Sequence, residues 1–299
     1  MASVERVLDC QAALGEGAMW SVEEQALYWV DIVAPTLNRF DPATGATSHW
    51  DMPSPIGCFA LCGGSTAIVA LCDGFHHLHL RTGTRRLLVE VEADIPGNRF
   101  NDGTVDPAGR FWAGTMPIAG PKAVPEGSLY CLQIDGSVHR AGGGYWVQNG
   151  LAFSPDGRTM YVSDSYPEVR TIWAYDYDPA TGVPHNRRVF FDTHQVAGRP
   201  DGAAVDVDGC YWMAGVGGAQ LVRITPLGDL DRIIDVPVQR PTKIAFGGPN
   251  LDVMYLTSIG QGAVRSDPAQ REAGNLFAVR TGVQGLPVPH YAGAIATAD

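Results

Sequence analysis

One short pattern recurs along the chain with almost no sequence identity, and it constrains the fold more than any other feature. An apolar residue enters a polar turn, and an aromatic or β-branched run leaves it. The copies are "WSVEEQALYWVD" (20–31), "VDPAGRFWAGT" (105–115), "FSPDGRTMYVSD" (153–164), "VDVDGCYWMAG" (205–215) and "FGGPNLDVMYLTS" (246–258), with a weaker one, "LCGGSTAIVAL", at 61–71. The entering residues are Trp20, Leu61, Val105, Phe153, Val205 and Phe246, spaced 41, 44, 48, 52 and 41 residues apart. Four-stranded propeller blades take roughly 40–50 residues. The spacing therefore predicts an all-β, six-bladed β-propeller, with residues 1–299 as a single domain. Radial repetition leaves only short protected sheet edges. The first anchor comes so early that the chain starts beside the last blade. "SVERVLDC" (3–10) is expected to pair near "NLFAVR" (275–280) and close the ring.

The composition agrees. With 36 Gly and 21 Pro among 299 residues, and many Val, Tyr, Trp and Thr, the chain has the turns and strands such a fold needs. "DPATG" occurs at both 41–45 and 178–182 as the same kind of strand-to-strand turn. The net charge of −11 argues against nucleic acid and against membrane surfaces as partners. No apolar run approaches the ~18 residues of a bilayer span, and no signal-peptide core follows the first methionine, so a cytoplasmic protein is expected. The six scattered cysteines suggest free thiols rather than a disulfide framework.

A second alignment lies inside the repeat. Four residues before the anchors stand Glu16, Gly57, Asn101, Asn149, Asp201 and Thr242. Four of these six carry strong oxygen donors, and glycine follows closely in each case. An Asn-Gly or Asp-Gly pair standing alone reads as a turn. A shared offset in four units is different, because equivalent blade positions lie at one radius and one height. If these residues begin the innermost strands, their side chains converge at the mouth of the central channel. Two carboxylates with amide oxygens suit a hard divalent cation, and without one the carboxylates repel each other.

Other signals carry less. In "HHLH", His77 and His79 share one strand face with His76 opposite, and no third ligand is evident, so a solvated blade strand is expected. "DYDPATG" and "DVDG" lack the glutamate that ends a calcium loop and read as turns. "GVGGAQ" (215–220) lacks the full dinucleotide pattern and is placed near the channel top, where Trp146 and Tyr166 are candidates to face a ligand.

The combined motifs resemble the regucalcin/gluconolactonase (senescence-marker-protein) family over essentially the whole chain. The residues carrying the resemblance are "LGEGAMW" (14–20), "NRFNDGTVDPAGRFWAGTM" (98–116), "GSLYCL" (127–132), "QNGLAFSPDGRTMYVSDS" (148–165), "RPDGAAVDVDGCYW" (199–212) and "FGGPNLDVMYLT" (246–257). The resemblance implies one divalent metal, calcium, zinc, manganese or iron, held by Glu16, Asn149 and Asp201. It also implies contacts from Arg99 and Asn101 to a sugar. An acidic residue near the G-S-L-Y motif touches substrate in some members; here Glu126 adjoins that motif with different local spacing. The implied activity is hydrolysis of a sugar lactone to the aldonic acid. Asp201 is the candidate general base, and water activation by the cation itself is the competing mechanism. The expected partner is a small-molecule sugar lactone, acted on by a monomer or small homo-oligomer. An organophosphate or aryl-ester hydrolase on the same scaffold and a calcium-binding regulatory protein are the alternatives.

Overall fold

The computed structural model describes residues 3–268 and 270–294. Six four-stranded antiparallel sheets make up the protein, and the only helical element among the described residues is the 3-10 turn Thr193–Gln195. This is the six-bladed propeller that the repeat spacing predicts. The innermost strands of blades one to six are Gly15–Ser21, Cys58–Gly63, Asn98–Val105, Gln148–Phe153, Arg199–Val205 and Pro241–Gly247. Every anchor lies in one of them, and the polar turn that follows leads to the second strand of the same blade.

Ring closure also follows the sequence. Strand Val4–Leu8 pairs antiparallel with Leu276–Val279, with Val4 opposite Val279 and Arg6 opposite Phe277. The last blade thus takes three strands from the end of the chain and its outermost strand from the beginning.

Apolar side chains fill the spaces between blades. Tyr28 of blade one packs on Phe59 of blade two, Phe75 of blade two on Phe100 and Phe111 of blade three, and Trp212 of blade five on Phe246 of blade six. The turns "DPAG" (106–109) and "DVDG" (206–209) each place one aspartate in a buried polar knot. Asp106 accepts from Arg110 and Tyr177, and Asp206 accepts from Arg223 and Trp212. All six cysteines are free thiols.

The "HHLH" strand is less solvated than expected. His76 is buried and its Nε2 lies 2.8 Å from Asp73 Oδ1. His77 and His79 are half-buried rather than fully solvated, because this is the third strand of its blade, paired on both sides.

One end of the central channel is covered by the chain itself. Gly285 donates to the Leu251 carbonyl and Val207 to Gln284, on blades six and five. Tyr291 then donates to Leu61, and Ala292 to Gly109, on blades two and three. The segment between them, Leu286 to Pro289, lines an apolar cavity of about 230 Å³ bounded by Met19, Leu151, Phe153, Val205 and Phe246. This strap touches the turns that follow the inner strands. The other end of the channel, where the inner strands begin, holds the oxygen-bearing residues.

Candidate functional site

Those residues occupy equivalent places for a local reason. In blades one, three, four, five and six the pairing of the inner strand with its neighbour breaks between Glu16 and Met19, Phe100 and Gly103, Asn149 and Ala152, Pro200 and Ala203, and Pro241 and Ile244. A bulge bends a strand and re-aims the side chain beside it. Asn149-Gly150 is therefore no hairpin turn. Gly150 sits inside the strand at a φ of 65°, and Gly17 does the same after Glu16 at 60°. Blade two has its break elsewhere, between Leu61 and Gly63. At Gly57 a β-carbon would overlap the Phe100 carbonyl, so no ligand can come from that position. Thr242 is spent on cohesion, donating to the Gly15 carbonyl across the junction of blades six and one.

Glu16, Asn149 and Asp201 are 6%, 3% and 6% exposed. The Glu16 and Asp201 carboxyl groups, from the first and fifth blades, are close enough to shift each other's proton affinity. Burial, followed by the charge of Asp102, pushes Glu16 up to about 7. Burial, followed by the charge of Glu16, holds Asp201 well above the ordinary carboxylate range. Two buried acids this close cannot both ionise unless a positive charge joins them. Asn149 contributes a fixed dipole. Its Nδ2 donates to Ser165 Oγ at 2.8 Å, which settles which way the amide faces, and its Oδ1 accepts from Asn101 Nδ2 at 3.1 Å.

This donor set fits a hard dication: two carboxylates balance the charge and an oriented amide oxygen adds a neutral ligand. Among the described residues no group of three or more His, Cys, Asp or Glu side chains is placed to hold a metal. A cation here depends on the amide as well as the two acids.

Arg99 and Asn101 belong to the same cluster. Arg99 Nη1 donates to Asn101 Oδ1 at 2.7 Å and to the Phe100 carbonyl at 2.8 Å. Its remaining N–H groups have no protein acceptor among the described residues. Asn101 donates to the Gln148 carbonyl at 2.8 Å as well as to Asn149. The Asn101 amide thus links Arg99 to Asn149, and Arg99 is the group left with donors for a substrate. Glu126 lies just before the strand Gly127–Leu132 and pairs with Lys122 at 2.8 Å. The structure does not bring it into hydrogen-bond contact with the Glu16, Asn149 and Asp201 cluster.

Ser165, Asp102 and Lys243 were not evident from the sequence. Ser165 orients Asn149, and its only sequence signal is its place directly after the strand Thr159–Asp164. Asp102 and Lys243 form a buried pair at 2.7 Å, and Asp102 also accepts from the Leu151 backbone at 2.8 Å. The pair neutralises a third acid close to Glu16. Nothing in the spacing joins residues 141 positions apart. Trp146 and Tyr166 stack with ring centres 4.6 Å apart, both held by backbone bonds to Asp164. They form a half-buried aromatic platform on the same blade as Asn149.

Comparison with known proteins settles the family. The sequence profile of the SMP-30/Gluconolactonase/LRE-like region matches residues 14–260. The chain belongs to that family. It is 40% identical over 286 residues to 6-deoxy-6-sulfogluconolactonase of Pseudomonas putida, covering 94% of this chain and 96% of that one. It is 36% identical over 262 residues to a pentonolactonase of Haloferax volcanii, covering 86% of each. Among solved structures, a calcium-binding regucalcin of Agrobacterium tumefaciens superposes with a TM-score of 0.91 at 28% identity, covering 97% of both chains. That superposition covers more of the chain than residues 14–260, so the shared fold extends beyond the matched segment.

Proposed function

We propose that this member of the family hydrolyses a sugar lactone to its aldonic acid, with one divalent cation held by Glu16, Asn149 and Asp201. The enzyme class, a lactone hydrolase, follows from the family and from relatives named as lactonases. The observation that carries the finer reading is the buried Glu16 and Asp201 carboxyls, with the oriented Asn149 amide tied through Ser165 to the strand that carries Asp201. Calcium, zinc, manganese and iron all accept such oxygen ligands. No helix among the described residues is long and apolar enough to cross a membrane. A cytoplasmic setting and a monomer or small homo-oligomer complete the reading.

When bound, the cation supplies Lewis-acid polarisation of the lactone carbonyl. Asp201 takes a proton from the attacking water as its oxygen bonds to the carbonyl carbon. The ring ester C–O bond then breaks, and the ring oxygen takes up a proton to become a hydroxyl. The new carboxylic acid ionises and releases one proton to solvent. Arg99 offers planar donors to the oxygen that gains negative charge or to the sugar hydroxyls. Asn101 keeps that guanidinium in place, and the stacked Trp146 and Tyr166 rings offer an apolar face to the sugar.

Proton release from a panel of aldonolactones, with divalent cation added or chelated, tests the proposal. Rapid, chelator-sensitive hydrolysis of at least one lactone is expected. No lactone hydrolysis with any of the four metals would overturn it.

A further inference from the structure

The blade register that aligns the oxygen ligands aligns a second set of residues two positions earlier. Those positions are Leu14, Pro55, Arg99, Val147, Arg199 and Arg240. Three of six are arginine, in blades three, five and six. In a chain with 32 acidic and 21 basic residues this concentration of cations at one rim needs a reason. Counter-ions do not supply it. Among the described residues none of the three arginines lies within ion-pair distance of a carboxylate, whereas seven other arginines do.

Arg199 is the first residue of its inner strand, and pleating puts it on the same face as Asp201. Its guanidinium is close enough to favour the ionised form of Asp201. Its side chain makes no hydrogen bond among the described residues and is half-buried. Its backbone, by contrast, is tightly held. Arg170 Nη2 donates to the carbonyls of Thr193 at 2.7 Å, Val196 at 2.9 Å and Gly198 at 3.0 Å, shaping the segment that delivers Arg199 to the rim. Gly198 donates to Gln220 Oε1 at 3.2 Å, and a β-carbon on Gly198 would overlap Gly215. The one nearby acid on that segment, Asp192, is bonded to His194. The Arg240 side chain, on the adjacent blade, has a single polar contact among the described residues, Nη2 to the Gln261 carbonyl at 2.6 Å. A fixed backbone carrying an unpartnered guanidinium is the arrangement of a ligand-reading group, because a planar fork matches a tetrahedral or planar oxyanion.

We propose that Arg199, with Arg240 beside it, reads a second anionic group on the lactone, at the end of the sugar remote from the ring carbonyl. The substrate class is then an acidic sugar lactone carrying a terminal sulfonate, phosphate or carboxylate. This inference rests on the lactonase reading above and extends it. Neutral hydroxyls give no reason for two further guanidiniums without ion-pair partners beyond Arg99, whereas a terminal oxyanion does.

The test compares gluconolactone with analogues bearing a phosphate, a sulfonate or a carboxylate at the terminal carbon. At low salt, kcat/KM for at least one anionic lactone should exceed that for gluconolactone about tenfold or more, and the preferred analogue identifies the anion. Arg199→Met and Arg240→Met should each shrink that ratio by about tenfold, mainly through KM, and Arg199→Lys should restore part of it. Calorimetric titration with the corresponding open-chain acids gives a readout without turnover. The acid with the terminal anion should bind wild type more tightly than gluconate does, and Arg199→Met should erase the difference. Gluconolactone turnover with no anionic preference and no change of the ratio in Arg199→Met would overturn the inference while leaving the lactonase reading standing. If no lactone is turned over, the lactonase reading fails, and the titration still decides whether the rim binds a terminal anion.

Discussion

The Asn149 amide nitrogen donates to Ser165 Oγ at 2.8 Å, and the Ser165 hydroxyl in turn donates to the Pro200 carbonyl, one residue before Asp201. A single hydroxyl therefore fixes the orientation of one proposed ligand and ties it to the strand that carries another.

Removing that hydroxyl should be felt at the metal. Ser165→Ala frees the Asn149 amide to rotate, and loss of such an orienting partner typically costs about 10–100-fold in metal affinity. Asn149→Ala should cost more, with circular dichroism unchanged. Calorimetric titration with calcium and with zinc measures both. Unchanged cation binding in Asn149→Ala would leave Asn149 as nothing more than the residue before a bulge.

The Glu16–Asp201 pair makes a pH prediction for the protein in chelator. Both carboxyls are raised above their unfolded values, Glu16 to about 7. Between the unfolded value of about 4.3 and 7 the native state holds more protons than the unfolded state, so stability falls as pH rises. A divalent cation competes with those protons, so the gain in melting temperature on adding it should grow across the same interval. Melting curves at pH 5, 6, 7 and 8, with and without cation, check this. A cation increment independent of pH would place its binding elsewhere.

Lys243→Met should be costly on its own. It leaves Asp102 buried beside Glu16 without its ammonium partner, and breaking such a pair costs about 3–5 kcal/mol. Asp102→Asn keeps an acceptor for the Leu151 N–H and removes the stranded charge. The double variant should therefore recover a large part of the loss in urea unfolding. Strict additivity of the two single changes would show that the pair is not energetically coupled.

Asp201→Asn separates its two proposed roles. An amide still offers an oxygen to a cation and takes no proton from water. Turnover should drop by about 10²–10⁴-fold, as expected for loss of a general base, with a smaller loss of cation affinity. The pH–rate profile should change with it. A preserved rate and profile with cation still bound would remove Asp201 from the proton transfer.

The ring and its closure were legible because both rest on periodicity: anchors at blade spacing, and a first anchor too early to leave room for an opening blade. The shared blade position of Glu16, Asn101, Asn149 and Asp201 was legible for the same reason, since a shared offset becomes a shared radius once the strands are in place. Asp102 with Lys243, and Asn149 with Ser165, were not. Their partners lie 141 and 16 residues apart and meet only after packing. The bulges were hidden too, because Asn-Gly spells a hairpin turn as readily as a kink inside a strand. His76 illustrates the opposite limit. Alternation along a strand gives its face, whereas its burial depends on the neighbouring strands and on Asp73.

The pairing of Val4–Leu8 with Leu276–Val279 sets the order in which this molecule can be made. The strand that completes the final sheet leaves the ribosome before the other strands of the ring, and its partner emerges more than 260 residues later. Until then the opening segment has an unpaired edge, and the blades already formed make an open arc. Closure needs a contact of nearly maximal sequence separation, the kind that is slow to form. The newborn chain spends that interval as an incomplete ring, and the first and last blades are where a second copy or a chaperone would meet it.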